Sequence, residues 1–166
     1  LITSKVEVRA ANLADIAAHV VWSTEQSLRR LQVDCLDFLQ IHNGPSRAPV
    51  RLEGKVYTQL HSDDFLRPGG AIEGLQRVLR EGKARHLGFI CRGNDAAEVR
   101  ELIDTGIFSL INVPYTLLNP SAGGAVPAGL AVERDYGAVI DYALAHGVGC
   151  AIYSPLSGGA LTDHAI

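Results

Sequence analysis

Five short apolar segments alternate with amphipathic stretches along this chain of 166 residues. The apolar segments, each predicted to be a β-strand, are residues 1–6, 35–41, 86–90, 108–113 and 150–153. Their nearly uniform apolar character is typical of strands that are buried on both faces. Strands that alternate with helices form a parallel sheet covered by helices. The pattern therefore predicts an α/β protein with a parallel sheet.

The stretches between these segments are predicted to be helices. In the first helix, one face is formed by Ala17, Val20, Val21, Thr24, Leu28 and Leu31. A second helix over 71–80 should end before Gly82, because glycine favours helix termination. Asp95 should cap a third helix that stops at Gly106, and a fourth is expected over 135–145.

Composition excludes several classes of function. Hydrophobic residues make up 47% of the chain and charged residues 20%, which indicates a globular protein. A net charge of −3 gives no electrostatic reason to expect a nucleic-acid or anionic membrane partner. No apolar run approaches the ~20 residues of a membrane span. The length favours one domain over 1–166, with no linker.

The sulfur-containing residues bear on cellular location and on processing. The chain has three cysteines, Cys35, Cys91 and Cys150, and no methionine. An odd number of cysteines without a CxxC pair does not require disulfides, so a reducing cytoplasm is the simplest location. The missing initiator residue fits either a processed protein or a piece of a longer one.

Two architectures remain open at this point, an open sheet and a barrel. The sequence has no GxGxxG after the first strand and no GxxxxGK[ST] phosphate loop. Polar residues follow the carboxyl ends of the strands, namely His42, Arg92, Asn112 and Ser154. This end carries the active site of a barrel, but open sheets also bind ligands there.

Six segments carry a resemblance to a known family: residues 2–5 (Ile-Thr-Ser-Lys), 25–42, 81–88, 112–120, 147–149 and 153–159. In this order they resemble motifs of the aldo-keto reductases. The resemblance implies a parallel (β/α)8 TIM-type barrel, of which the chain would supply about five βα units, from the third strand to the seventh. The family's catalytic aspartate and tyrosine and its last strand have no counterpart here. The chain is therefore expected to be an internal segment, a partial barrel.

The resemblance also implies a reaction. Aldo-keto reductases move a hydride reversibly between a nicotinamide cofactor and the carbonyl of an aldehyde, ketone or sugar, while a tyrosine exchanges the proton. Lys5 matches the lysine that stabilises the tyrosine phenolate, and His42 matches the histidine that orients the carbonyl oxygen. The family mostly uses NADP, with NAD as the alternative. The partner would be a small carbonyl or sugar substrate.

The same resemblance assigns cofactor-binding roles to five residues. Tyr153 would stack on the nicotinamide, and Ser154, Leu156 and Ser157 would hold the pyrophosphate. Asn112 would bind the carboxamide, where the commonest family residue is glutamine.

The clearest departure from the family lies at Ile90-Cys91, where many members have Ser-Asn. Neither side chain replaces those hydrogen bonds well. Cys91 is then either a pocket-lining thiol or a small buried residue, and Arg92 is expected to be solvated rather than bound to a substrate anion.

Other interpretations remain beside this one. The chain alone could be a non-catalytic barrel fragment that associates through open sheet edges without turnover, or an open-sheet module with an unrelated ligand. The segment 61–64 (His-Ser-Asp-Asp) superficially resembles a metal cluster, but a solvated loop is favoured and no metal is expected. The segments 43–70 and 119–134 are expected to be long loops over the active-site end.

Overall fold

The structure, a computed structural model, describes residues 1–47, 58–91 and 95–163. Its strands are β1 (Thr3–Val6), β2 (Leu36–Ile41), β3 (Ala84–Ile90), β4 (Leu110–Pro114) and β5 (Gly149–Tyr153). Its helices are α1 (Ile16–Leu31), α2 (Ser62–Leu66), α3 (Ala71–Arg80), α4 (Ala96–Asp104) and α5 (Val139–Ala145), with 3-10 turns at Ala10–Asn12 and Ser157–Gly159. Each predicted strand is present, with its ends shifted by at most two residues.

All five strands form one parallel sheet in the order β1-β2-β3-β4-β5. Each strand therefore pairs with its neighbour in sequence, and the order does not reverse as it does at the switch point of a doubly wound sheet. This unbroken order is that of consecutive units of a βα barrel. The prediction of an α/β protein with a parallel sheet is confirmed.

The first helix, α1, forms because local signals define its two ends and because its apolar residues fall on one face. The carboxylate of Asp15 accepts a hydrogen bond from the backbone N–H of Ala18 at 2.9 Å, which caps the helix start. The helix ends at Gln32, whose φ of 55° is left-handed. The predicted face was wrong at Leu31, which is 47% exposed. Ser27 is buried instead and accepts a hydrogen bond from the Ser4 hydroxyl of β1.

The core lies between the helices and one face of the sheet. That face carries the fully buried side chains of Val6, Leu39, Ile41, Leu87, Phe89, Ile111 and Val113. Phe89 makes edge-to-face contacts with Phe65 of α2 and with Phe108, at ring-centroid distances of 6.4 and 4.8 Å. Such pairs contribute about 0.5–1.5 kcal/mol beyond the area they bury.

Two predictions about the connecting segments were wrong. The segment 43–70 was expected to be a loop but contains α2, a helix of five residues. The last helix was expected from Asp135 but begins at Val139, because Ala138 has a left-handed φ of 52° and its N–H donates to Ser121 O at 2.8 Å. The residues before Val139 are therefore held by the preceding loop rather than by helical hydrogen bonds.

The segment that follows β2 is tied down by a buried carboxylate on α4. Glu98 is 1% exposed, and its two oxygens accept hydrogen bonds from Arg47 Nε at 2.7 Å and from the Ser62 N–H at 3.2 Å. A bridge between Pro45 and Leu60 adds a backbone contact beside it. The network holds the two described ends of this segment against α4.

Among the residues that the structure describes, no helix has both the length and the apolar character needed to cross a membrane.

Candidate active site

The face of the sheet opposite the helices carries two of the predicted site residues, Lys5 and Asn112. We call this the inner face and define it by Lys5, Gln40, Gly88, Asn112 and Ala151. Lys5 is in register with Gln40, which is in register with Gly88, and Asn112 is in register with Ala151. Because side chains alternate between the two faces of a strand, these residues point away from the helices.

Two predicted site residues line one cavity on the inner face. The cavity has a volume of about 400 Å³ and is lined by Thr3, Ser4, Lys5, Gln40, Leu110, Asn112 and Ala151. It therefore brings Lys5 of β1 and Asn112 of β4 together, although they lie 107 positions apart in the sequence. Within the described parts of the chain, no carboxylate forms an ion pair with the Lys5 ammonium.

His42 lies just beyond the carboxyl end of β2. Its backbone N–H donates to Val6 O at 2.7 Å, which extends the ladder between β1 and β2 by one hydrogen bond. His42 is the second residue after Gln40, so strand alternation predicts that it shares the inner face. It is half-buried and does not belong to the described lining of the cavity around Lys5.

Asn43 fixes the backbone next to His42 and was missed by the sequence analysis. Its buried side chain accepts from the Val8 N–H at 2.8 Å and donates to Val8 O at 2.9 Å and Thr58 O at 2.8 Å. These bonds tie the end of β2 to the residues after β1 and to the far end of the following segment. A polar residue directly after a predicted strand end was the available signal.

Tyr153 ends β5 and reaches across β4. Its Cα is in register with Pro114, and its phenol O–H donates to Cys91 O, just after β3, at 3.2 Å. The half-buried ring is thereby held over the carboxyl ends of three adjacent strands. An aromatic ring fixed in this way offers a flat apolar surface to a planar ligand.

The loop after Tyr153 has an unusual backbone. Ser154 and Ser157 have left-handed φ values of 54° and 50°, a region that non-glycine residues seldom occupy. Each such residue costs on the order of 1–3 kcal/mol and is common at ligand-binding loops. The Ser157 N–H donates to Ser154 O at 3.0 Å, so this amide is already used within the loop. Leu156 is exposed.

Ser157 also lines a second cavity, of about 420 Å³, together with Pro114 at the end of β4 and residues of the segment that follows: Thr116, Leu118, Asn119, Ala131, Val132, Glu133 and Tyr136. Side-chain hydrogen bonds within the segment 119–134 hold its two ends together. Asn119 Nδ2 donates to Arg134 O at 2.8 Å, and the buried Ser121 hydroxyl donates to Asn119 Oδ1 at 2.6 Å. The loop predicted over 119–134 is thus an ordered structure beside Ser157.

The departure from the family at positions 90 and 91 is structurally clear. Ile90 is in register with Asn112 and places an apolar side chain beside it. Cys91 is fully buried, and burial, with a smaller contribution from Cys150, raises the pKa of its thiol. Of the two alternatives for Cys91, the structure supports the small buried residue. Arg92 lies outside the described residues.

The segment 61–64 forms the start of α2, so its expected assignment to a solvated loop was wrong. The Asp64 carboxylate accepts a hydrogen bond from the His61 N–H at 3.1 Å, at the start of the helix. It also forms an ion pair with Arg67 at 3.4 Å. Among residues 1–47, 58–91 and 95–163, no group of three or more His, Cys, Asp or Glu side chains could hold a metal ion.

The sequence pattern of the Aldo/keto reductase family matches residues 1–165. A comparison with the curated proteins finds no match.

Solved structures of aldo-keto reductases have a similar fold. A holo aldo-keto reductase of Bacillus halodurans is 19% identical, with a TM-score of 0.67, over 99% of this chain and 44% of its own. A silkworm (Bombyx mori) aldo-keto reductase complexed with NADPH is 20% identical, with a TM-score of 0.60, over 92% and 38%. A glycerol dehydrogenase of Gluconobacter oxydans is 22% identical, with a TM-score of 0.59, over 89% and 35%. The chain spans less than half the length of these proteins.

Proposed function

The chain belongs to the aldo/keto reductase family, and on this premise we propose that it forms part of an oxidoreductase. The reaction is a reversible hydride transfer between NADP(H) and the carbonyl carbon of an aldehyde, ketone or sugar. The observation that carries the proposal is a cavity on the inner face that both Lys5 and Asn112 line. A cation and an amide on one wall match a polar carbonyl substrate lying beside a nicotinamide.

In this proposal Lys5 and His42 act on the reacting oxygen. The Lys5 ammonium stabilises the phenolate form of the tyrosine that donates the proton, because an adjacent positive charge favours the charged phenolate. The His42 imidazole donates a hydrogen bond to the carbonyl oxygen and so orients the carbonyl carbon. The bond from His42 N–H to Val6 O and the buried Asn43 side chain support this role by fixing the local backbone.

The remaining proposed roles concern the cofactor, which supplies the hydride when bound. Tyr153 offers its ring to the nicotinamide, and its O–H bond to Cys91 O holds that ring in place. Asn112 hydrogen-bonds the carboxamide beside the apolar Ile90. Ser154, Leu156 and Ser157 hold the pyrophosphate through the hydroxyls and the Leu156 amide. NADP is proposed over NAD as the family's usual preference.

The proposal includes the setting of the reaction. The substrate is a small carbonyl compound or sugar, and one similar structure, a glycerol dehydrogenase, is named for a small polyol. The net charge of −3 gives no support to a nucleic-acid partner. Cys35, Cys91 and Cys150 are free, and we propose the cytoplasm as the location. One domain over 1–166, forming part of a barrel, is the proposed organisation.

A second candidate function is that of a non-catalytic fragment that associates without turnover. The observation that favours it is the position of β1 and β5 at the two edges of the described sheet. Unpaired strand edges can pair with another chain. The half-exposed Ile152 of β5 would add apolar surface to such a contact.

One assay separates the two candidates. The oxidoreductase of which this chain forms part is mixed with NADPH and a panel of aldehydes, ketones and sugars, and loss of nicotinamide absorbance is followed. We expect turnover that is abolished by Lys5→Met and kept by Arg80→Gln, an exposed cation of α3 far from the inner face. Absence of turnover together with a larger mass in solution would favour the associating fragment. Equal turnover in the two variants would refute the role of Lys5.

A further inference from the structure

A buried glutamine on the inner face contacts Asn112. Gln40 of β2 is 1% exposed, and its Nε2 donates to Asn112 Oδ1 of β4 at 2.7 Å. The bond spans the intervening strand β3. A fully buried amide within a parallel strand is uncommon because its burial is costly unless its hydrogen bonds are made.

Gly88 makes this contact possible. It is in register with Gln40, on the strand between the two amides, and a Cβ atom at position 88 would be 3.2 Å from both Cγ and Nε2 of Gln40. The Gln40 side chain therefore lies over the bare backbone of β3. Glycine inside a strand commonly marks such a close approach.

The amide pair has unfilled hydrogen-bonding groups. In the parts of the chain that the structure describes, nothing donates to Gln40 Oε1 and nothing accepts from Asn112 Nδ2. A primary amide has one acceptor oxygen and two N–H donors, so each partner keeps capacity for a ligand. A buried acceptor without a donor is unfavourable, and a ligand N–H aimed at it would relieve that cost.

We propose that Gln40 is a positioning residue for Asn112 and that the two amides together recognise the carboxamide of a nicotinamide ring. This inference rests on the proposed function. Because Gln40 Nε2 donates a hydrogen bond to Asn112 Oδ1, the Asn112 amide is held with its NH2 group available to the ligand carbonyl. Gln40 Oε1 accepts from the ligand NH2. Since Ile90 beside Asn112 is apolar, the pair replaces the polar residues that this position does not supply.

The proposal distinguishes a carboxamide from a carboxylate. A carboxylate has acceptor oxygens only, so it could take the Asn112 donor but would place an oxygen against Gln40 Oε1. Lys5 in the same cavity would attract a carboxylate, so a preference for the amide must come from the amide pair rather than from charge. NADP⁺ and its nicotinic acid analogue differ in this one group and serve as probes.

Calorimetry on the 166-residue chain measures the dissociation constants of the two probes. We expect the unmodified chain to prefer NADP⁺ over the acid analogue by about tenfold, the effect of a hydrogen bond and an avoided clash. Gln40→Met, of similar size without an amide, should reduce this ratio to about one, as lost hydrogen bonds predict. Gln76→Met, the same change at an exposed position of α3, should leave it unaltered.

A ligand-free measurement tests the positioning role by itself. The ¹⁵N–¹H resonances of the Asn112 side-chain NH2 should move in Gln40→Met and stay in place in Gln76→Met. If Gln40→Met does not fold, Gln40→Glu keeps the size but, when ionised, removes the donor, and the same movement is expected.

The outcomes separate this inference from the proposed function. Unmoved Asn112 resonances overturn the positioning role, whatever the chain binds. Equal affinity of the unmodified chain for the two probes, or an unchanged ratio in Gln40→Met, overturns the recognition role. If neither probe binds but the Asn112 resonances move, the proposed function and the recognition role fail while the positioning role is supported.

Discussion

Replacing Gly88 by alanine should disrupt the centre of the sheet. The added methyl carbon would lie 2.5 Å from the Leu110 carbonyl oxygen of β4 and 3.2 Å from Cγ and Nε2 of Gln40. The first contact is with a backbone atom in the neighbouring strand, which a rotamer change cannot relieve. Strands β3 and β4 would have to separate, and the Gln40 side chain would have to leave Asn112.

The expected loss can be worked out from these two contacts. Overpacking a well-packed region costs about 1–3 kcal/mol, and losing the hydrogen bond between Gln40 and Asn112 costs about 0.5–1.5 kcal/mol. Together they predict a decrease of about 1.5–4.5 kcal/mol in the free energy of unfolding. With a urea dependence of about 2 kcal/mol per molar for a small protein, the midpoint should fall by about 1–2 M.

Urea denaturation followed by circular dichroism measures this change. Gly124→Ala is the matched control, because a Cβ there meets no atom within 4 Å and the glycine has an ordinary φ. The control should change the free energy of unfolding by no more than about 0.5 kcal/mol. If Gly88→Ala unfolds at the same urea concentration as Gly124→Ala, the close approach of β3, β4 and Gln40 is wrong.

Three further predictions concern single side chains. Asn43→Ala removes three hydrogen bonds to the backbone, two of them buried. It should lower the free energy of unfolding by about 2–4 kcal/mol, so an unchanged thermal midpoint would contradict it. Hydrogen bonds from Arg77 and Lys83 lower the pKa of Glu81 from 4.5 to about 2. Its carboxylate therefore stabilises the fold above pH 4.5, and this contribution is lost as the pH falls towards 2. In Glu81→Gln, the urea midpoint at low salt should depend less on pH over that range. An unaltered dependence of the midpoint on pH would refute the pairing. Tyr153→Phe keeps the ring and should weaken NADPH binding by less than about tenfold, whereas Tyr153→Ala should weaken it more in a fluorescence titration, and equal affinities would argue against stacking.

The strands and most helix limits could be predicted from local sequence. Residues 71–80 were predicted as a helix and form α3 with those bounds. Asp95 caps α4 by accepting from the Ala97 N–H. Such features depend on neighbouring residues only, because apolar periodicity and a capping carboxylate act within one or two turns.

Elements that depend on distant partners were missed. The start of α2 is held by Glu98, which lies 36 positions away from Ser62. The start of α5 is delayed because Ser121 O takes the N–H of Ala138. Neither partner can be identified from local propensity, because tertiary hydrogen bonds override weak preferences in short segments.

The candidate site likewise combines residues that the sequence singled out with a contact that depends on residues far apart in the sequence. The resemblance singled out Lys5 and Asn112, and the structure brings both to one cavity. The link from Gln40 to Asn112 spans 72 positions and depends on the strand register, which puts Gly88 beside Gln40 on the intervening strand. Sequence alone gave Gln40 no partner and so no role.

The succession of strands has a consequence for how the chain is made. Since every strand pairs with the one synthesised just before it, a nascent polypeptide leaving the ribosome can add each new strand to an existing template. Within the described sheet, no strand has to wait for a partner encoded much later, which shortens the time that apolar segments are exposed to solvent during translation.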